Sequence, residues 1–242
     1  MKIGIISDIH SNIHALNAVL NEFDKLKVDK IICCGDIIGI GINPEETVQA
    51  LINKKDMLIV VAGNHENYLI NGLPKKVHDD KRKMSNEEIE NHEWNHNKLS
   101  KQSKEFLNQL KLLQYIQIEE KKIYVSHYPI KNDNTYKKLI KEPSITEVKE
   151  MFEEIDADVF IYGHTHTSSI NNEEDKWYIN PGSLGCPMNS NLAKAGILEI
   201  DNGKIDYNEI NVEYNVNEII EEINKLKIPF YKEILQIFYG II

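Results

Sequence analysis

Arginine is almost absent. Among 28 basic residues only Arg82 carries a guanidinium, which excludes phosphate recognition built on several bidentate forks. Cysteine is scarce as well: Cys33, Cys34 and Cys186 cannot supply a disulfide framework, and their odd number suits a reducing compartment. Positive charge is in deficit. The 38 acidic residues leave a formal charge of −10, so a nucleic-acid polymer, which demands a basic face, is not an expected partner. No apolar stretch approaches the about 20 residues that cross a bilayer, and Asp8 interrupts the first apolar run too early for a secretory leader. We therefore expect a cytoplasmic protein without a membrane partner. Repeats and low-complexity linkers are also lacking, and the chain is expected to form a single domain over 1–242.

What the chain does contain is a series of short apolar runs, each closed by Asp, Asn or His, the residue types that ligate first-row divalent metals. Residues 1–6 read as a strand closed by Ser7-Asp8-Ile9-His10, and in an extended segment Asp8 and His10 point to one side. Residues 30–34 close on Gly35-Asp36, and 57–62 on Gly63-Asn64-His65-Glu66. Further on, 122–126 end at His127, and 159–162 at Gly163-His164-Thr165-His166. Between the first runs, Leu16, Val19, Leu20, Phe23 and Leu26 follow helical spacing behind a cap at Ser11 or Asn12. Asn43 is expected to cap a second helix that has Pro44 in its first position. This β-α-β-α-β rhythm implies parallel strands whose functional residues gather at their carboxyl ends.

The pattern changes over 72–103, where lysines and acidic residues crowd around His78, Arg82 and Trp94. Ser85-Asn86-Glu87-Glu88 is a capped helix start. We expect a helical, cap-like insertion over the strand ends, carrying Arg82 toward a substrate phosphate. His92 and His96, four residues apart, are expected on a solvated helix face. Residues 131–143 read as a lysine-rich loop and 145–155 as a helix, while Asp201-Asn202-Gly203 joins two runs as a hairpin. Residues 215–242 hold two amphipathic helices. Their apolar stripes are expected to pack on the chain's own sheet, with an oligomer surface as the alternative.

Taken in order, Asp8-x-His10, Gly35-Asp36, Gly63-Asn64-His65-Glu66, His127 and Gly163-His164-x-His166 are five blocks in which the chain resembles the calcineurin-like dinuclear metallophosphoesterases. The resemblance covers roughly residues 1–211, and Asn180-Pro-Gly-Ser183 is similar to a further block. It implies an α/β/β/α sandwich with the site at one edge of two facing sheets. It implies two divalent metal ions, one held by Asp8, His10 and His166 and the other by Asn64, His127 and His164, with Asp36 bridging. Mn, Fe, Zn and Ni all suit such donors.

The activity implied is metal-dependent hydrolysis of phosphate esters by a metal-bridging hydroxide, with His65 as a catalytic histidine at the leaving oxygen. As the strand-end neighbour of Asn64, His65 is expected to project away from it. The protein serine/threonine phosphatases are the more distant branch. Gly39 stands where they have an aspartate that steadies this histidine, and Ile40 where they have a phosphate-binding arginine. The chain looks more like the small bacterial phosphoesterases, with Glu66 as the candidate substitute for the missing carboxylate. The expected partner is a small phosphorylated substrate, a phosphodiester or a phosphomonoester, since bound dications reverse the local field of an acidic chain. A dinucleoside polyphosphate hydrolase and a non-catalytic scaffold retaining the fold are the alternatives.

Overall fold

The computed structural model describes residues 1–77 and 82–241. The chain opens as β1 (Lys2–Ile6), α1 (Ile13–Leu26), β2 (Lys30–Cys33), α2 (Pro44–Ile52) and β3 (Leu58–Val60). Three helices follow, α3 (Asn64–Asn71), α4 (Asn86–Lys98) and α5 (Lys101–Asn108). The second half runs β4 (Leu113–Ile118), β5 (Lys121–Ser126), α6 (Ile145–Met151), β6 (Val159–Ile161), β7 (Ser169–Glu173) and β8 (Lys176–Asn180). A long hairpin, β9 (Leu192–Asp201) and β10 (Lys204–Glu213), precedes α7 (Val216–Leu226) and α8 (Tyr231–Tyr239).

Two five-stranded sheets result, ordered β10-β9-β1-β2-β3 and β4-β5-β6-β8-β7. The rhythm of the first runs makes β1, β2 and β3 parallel, while β9 adds to β1 antiparallel, so the sheet is mixed. Alternation along β1 assigns its faces. Ile3 and Ile5 turn inward to meet Ile123, Val125, Val159 and Ile161 of the second sheet, whereas Ile6 turns outward onto Leu16, Val19 and Phe23 of α1. A third cluster, Tyr124, Phe152, Phe160 and Tyr178, lies under α6. The layers are therefore helix, sheet, sheet, helix, as the resemblance implies, and the carboxyl ends of β1, β2, β3, β5 and β6 open on one edge.

Local chemistry explains most element boundaries. Asn12 caps α1 by accepting from Ala15 N at 3.0 Å. Ser85 and Glu88 form the expected capping box of α4, with Ser85 N donating to Glu88 Oε2 at 2.9 Å. Asn202 and Gly203 both take positive φ, 50° and 75°, which the tight hairpin turn requires.

Several expectations need correction. Asn43 occupies the N-cap position of α2 but its side chain makes no capping bond; Pro44 at the helix start is the signal that held. The helix expected over 145–155 stops at Met151. The edge strand β7 was not expected, because Ser-Ile-Asn-Asn-Glu shows no apolar alternation. Residues 64–71 form α3 directly after β3, so Asn64 and His65 sit in a first helical turn and not at a strand end. The tail helices pack on the chain itself, α7 through Ile219 and Ile223 and α8 through Ile234 and Leu235. His78, Asp79, Asp80 and Lys81 of the expected insertion lie outside the described residues. Among the described residues no helix is long and apolar enough to cross a membrane.

Candidate metal centre

Seven side chains expected to ligate metal come to one place at the open edge of the sheets. Asp36 stands in the middle, its Oδ2 lying 3.2 Å from His127 Nε2, 3.8 Å from His10 Nε2 and 3.9 Å from His65 Nε2. On one side His10 Nε2 and His166 Nε2 face each other at 2.9 Å, with Asp8 Oδ1 3.4 Å from the latter. On the other, His127 Nε2 lies 3.1 Å from His164 Nδ1 and 3.2 Å from Asn64 Oδ1. The division into two groups about Asp36 parallels the one drawn from the resemblance. His127 Nδ1 is 2.7 Å from the Cys34 carbonyl; donation there aims Nε2 at the centre, where a cation would take the place of its proton.

The convergence of Asp8 and His10 does not come from an extended strand end, as the sequence suggested. Asp8, His10, Asp36, His164 and His166 all have positive φ, between 47° and 72°. Non-glycine residues rarely occupy this region, and a cost on the order of 1–3 kcal/mol attaches to each. The backbone is held there by tertiary bonds: Asp8 N donates to Gly35 O at 3.1 Å, His10 N to Asp36 O at 2.9 Å, and His164 N to Asp8 Oδ2 at 3.0 Å. The strain is thus distributed over loops that lock one another.

Burial and charge distribute the protons. Burial alone would raise Asp36, but the His127 charge holds its carboxyl well below the usual range. Burial opposes a charged His127 too, yet Asp36 lifts it to about 9. Burial lowers His10 to about 4, with the His166 charge adding to it, and lowers His164 to about 3, helped by His127. Asp8 and Asp36 are 0% and 2% exposed, and among the described residues their ion pairs are all with histidines, never with lysine or arginine. Buried carboxylates demand pairing or a metal. Two such groups surrounded by imidazole nitrogens and one amide oxygen match the donor set of first-row divalent cations, so these residues fit the metals that the family would bring.

His65 lies against this cluster, half-buried, with its ring 4.9 Å from that of His10 and 5.0 Å from that of His92. Gly39 is more than a missing carboxylate: a Cβ there would stand 2.0 Å from His65 Nδ1, so the glycine makes room for the ring. Glu66 does not steady His65. It is fully buried and accepts from the backbone N–H groups of Gly63, Asp36, Ile37 and Ile38. Burial pushes His65 well below its ordinary range and keeps the ring neutral at neutral pH. His92, expected on a solvated face, is instead 7% exposed and packs on His65 and Tyr68, because α4 turns this face inward.

A cavity of about 850 Å³ opens over Asn64, His65 and His164. Residues from the 72–103 segment line one side of it, including Arg82, Met84 and His92. The Arg82 guanidinium forks onto Glu88, at 2.5 and 2.8 Å. Several residues here escaped the sequence. Tyr136, Lys137 and Lys138 come from the lysine-rich loop, and Phe230, Ile234, Ile237 and Phe238 from the tail. Cys186 lies beside His10 and His166. Only for Cys186 was there a local hint, its position three residues past the Asn180–Ser183 block.

An uncharacterized protein of Methanocaldococcus jannaschii is 33% identical over 242 residues, spanning 94% of this chain and 93% of its own. A phosphodiesterase of the same organism is 24% identical over 213 residues, spanning 88% of this chain and 100% of its own. The crystal structure of a hypothetical protein from Pyrococcus horikoshii superposes with a TM-score of 0.81 at 19% identity, covering 98% of this chain and 97% of that one, and so shows the same fold. The model of the calcineurin-like phosphoesterase superfamily domain matches residues 1–203, and the chain belongs to that superfamily.

Proposed function

We propose that the chain hydrolyses phosphate esters of small molecules, as a single domain, using two divalent cations held by Asp8, His10, Asp36, Asn64, His127, His164 and His166. The observation that supports this most directly is the placing of Asp36 between two groups of nitrogen and oxygen donors, two of which, Asn64 and His164, line a cavity. Bound there, paired cations supply Lewis acidity toward a phosphoryl oxygen and lower the pKa of water. The chain's own residues do the rest. Neutral imidazoles offer lone pairs without adding negative charge near an anionic substrate. The neutral His65 offers one N–H to the leaving oxygen, and Lys137 and Lys138 bring positive charge to the cavity wall. The phosphodiesterase among the relatives favours diesters over monoesters, and the apolar side chains of α8 on the same wall favour an ester whose alcohol is itself apolar or aromatic.

The test is a panel of phosphomonoesters and phosphodiesters, with alkyl, nitrophenyl and nucleoside alcohols, assayed after stripping by chelator and refilling with Mn²⁺, Zn²⁺, Fe²⁺ or Ni²⁺. Hydrolysis that vanishes on stripping and returns on refilling is expected. A chain that binds metal and hydrolyses nothing would be a scaffold, and this reading would fall.

His65→Ala is expected to keep both metals and the fold. Help to a leaving group is worth about 10²–10⁴-fold in rate. The loss should be of that size for alkyl or ribose esters and small for nitrophenyl esters, which depart without a proton. Equal losses across leaving groups would move His65 into binding, and loss of a metal would move it into ligation.

Arg82 is proposed to sense the substrate's charge from the cavity wall. Because its fork already engages Glu88, Arg82→Ala should raise KM for anionic substrates only about twofold to tenfold, a single exposed contact's worth, with metal content unchanged. Identical kinetics on every substrate would reduce the pair to a brace of the loop before α4.

A further inference from the structure

Of the three buried thiols, Cys186 is the one whose sulfur lies among candidate metal donors. Cys33 and Cys34 are packed within the apolar clusters on either side of β2, where burial pushes their thiols far up. Cys186 is carried to the metal centre by a loop that is pinned there. Ser183 Oγ donates to the Asp8 carbonyl at 2.8 Å and accepts from Cys186 N at 3.0 Å, so one hydroxyl ties the two backbones together. Gly185 N donates to the same carbonyl at 3.0 Å. A Cβ at Gly185 would stand 1.8 Å from Ile9 O, so the loop lies flush against the segment that presents Asp8 and His10. The result is a group of three donors, one atom each from His10, His166 and Cys186, all within 4.8 Å of one another. Donors that share one ion, at bonds of about 2.0–2.3 Å, stand roughly 3–4 Å apart. Cys186 is 4% exposed, so water is largely excluded from the sulfur.

We propose that Cys186 binds, as a thiolate, the cation held by Asp8, His10 and His166, and makes that position selective for Zn²⁺ and other thiophilic ions over Mn²⁺. The inference rests on the metal-centre reading above. On loading, the S–H bond breaks, its proton passes to water, and the freed sulfur pair forms the bond to the cation. The two positions then differ in kind. The one at Asn64, His127 and His164 has nitrogen and oxygen donors alone, whereas this one adds a soft ligand, and softness is what separates Zn²⁺ from Mn²⁺.

The experiment titrates the chelator-stripped full chain with Co²⁺ and reads two signals. Visible d–d bands report that the centre is filled, whichever residues fill it. A near-ultraviolet sulfur-to-cobalt charge-transfer band reports a thiolate ligand. The wild-type chain is expected to show both, and Cys186→Ser to keep the d–d bands and lose the charge-transfer band. In competition titrations the variant should lose at least about tenfold in Zn²⁺ affinity, the smallest loss that weaker supporting contacts already cause, with Mn²⁺ affinity shifted less than about threefold. A wild-type chain with d–d bands and no charge-transfer band overturns the assignment and leaves the metal centre standing, as does a charge-transfer band that survives in the variant. A wild-type chain with no d–d bands overturns the metal-centre reading and this assignment with it. Cys186→Ala repeats the comparison if the serine variant does not fold, and absence of the wild-type band needs no variant to be decisive.

Discussion

Asp36→Asn is expected to empty both cation positions and to lower phosphoester hydrolysis by more than the about 10²–10⁴-fold that a missing proton donor costs. The replacement is nearly isosteric, so its effect is electronic. Asp36 Oδ1 accepts from His65 N at 2.9 Å, and an asparagine keeps that bond by placing its carbonyl oxygen there. The NH₂ group must then occupy the place of Oδ2, facing His10 Nε2 and His127 Nε2. An amide NH₂ has no lone pair for a cation and brings hydrogens to both groups at once. Elemental analysis should find both ions depleted together. Metal-free, the variant should melt below metal-free wild type, because Asp36 and the His127 imidazolium stabilise each other across 3.2 Å and asparagine removes one partner of that buried pair. One ion lost with the other at full occupancy would assign Asp36 to a single position and end its bridging role.

The scaffold around Asp36 was readable because each strand that leads to a site residue carries a short apolar run, buried between facing sheet and helix. The residues of 30–34 are split between two cores, Ile31 and Cys33 outward, Ile32 and Cys34 inward, and no polar residue fits either side until Gly35 and Asp36. The candidates for metal were legible for the same reason, as the Asp, Asn and His residues that close such runs. Their backbone conformation was not. Nothing local distinguishes Asp8 or His164 at positive φ from the same residue in a strand, since bonds to segments remote in sequence hold them there. The long-range features stayed hidden as well. Lys137, Phe238 and Cys186 reach the site through the packing of loop and tail, and composition records no packing. α3 was masked by its own start, where a glycine N-cap offers no side chain and the capping group is Glu66, three residues on.

That cap leads to the largest expected effect on stability. Glu66→Ala should cost the fold about 3–5 kcal/mol and lower the melting temperature by roughly 6–20 °C for a chain of this size. Glu66 is 0% exposed, and its two oxygens take four backbone donors: Gly63 N and Asp36 N on Oε2, both at 2.8 Å, and Ile37 N and Ile38 N on Oε1, at 2.9 and 3.1 Å. It therefore joins the loop after β2 to the start of α3, the two segments that present Asp36 and Asn64. Each buried N–H left without a partner costs about 1–3 kcal/mol, and relaxation or an entering water recovers part of the sum. Burial, then the Asp36 charge, pushes Glu66 up to about 7. The four donors pull the other way, and cations bound beside Asp36 would remove the second of these pressures. Glu66→Gln separates shape from acceptor capacity. Glutamine fills the same volume, but its NH₂ must face two of the four N–H donors. It should therefore melt nearly as low as the alanine variant, and both should bind metal poorly because Asp36 is no longer held. A glutamine variant that melts with the wild type would show that Glu66 fills space and does not organise the loop.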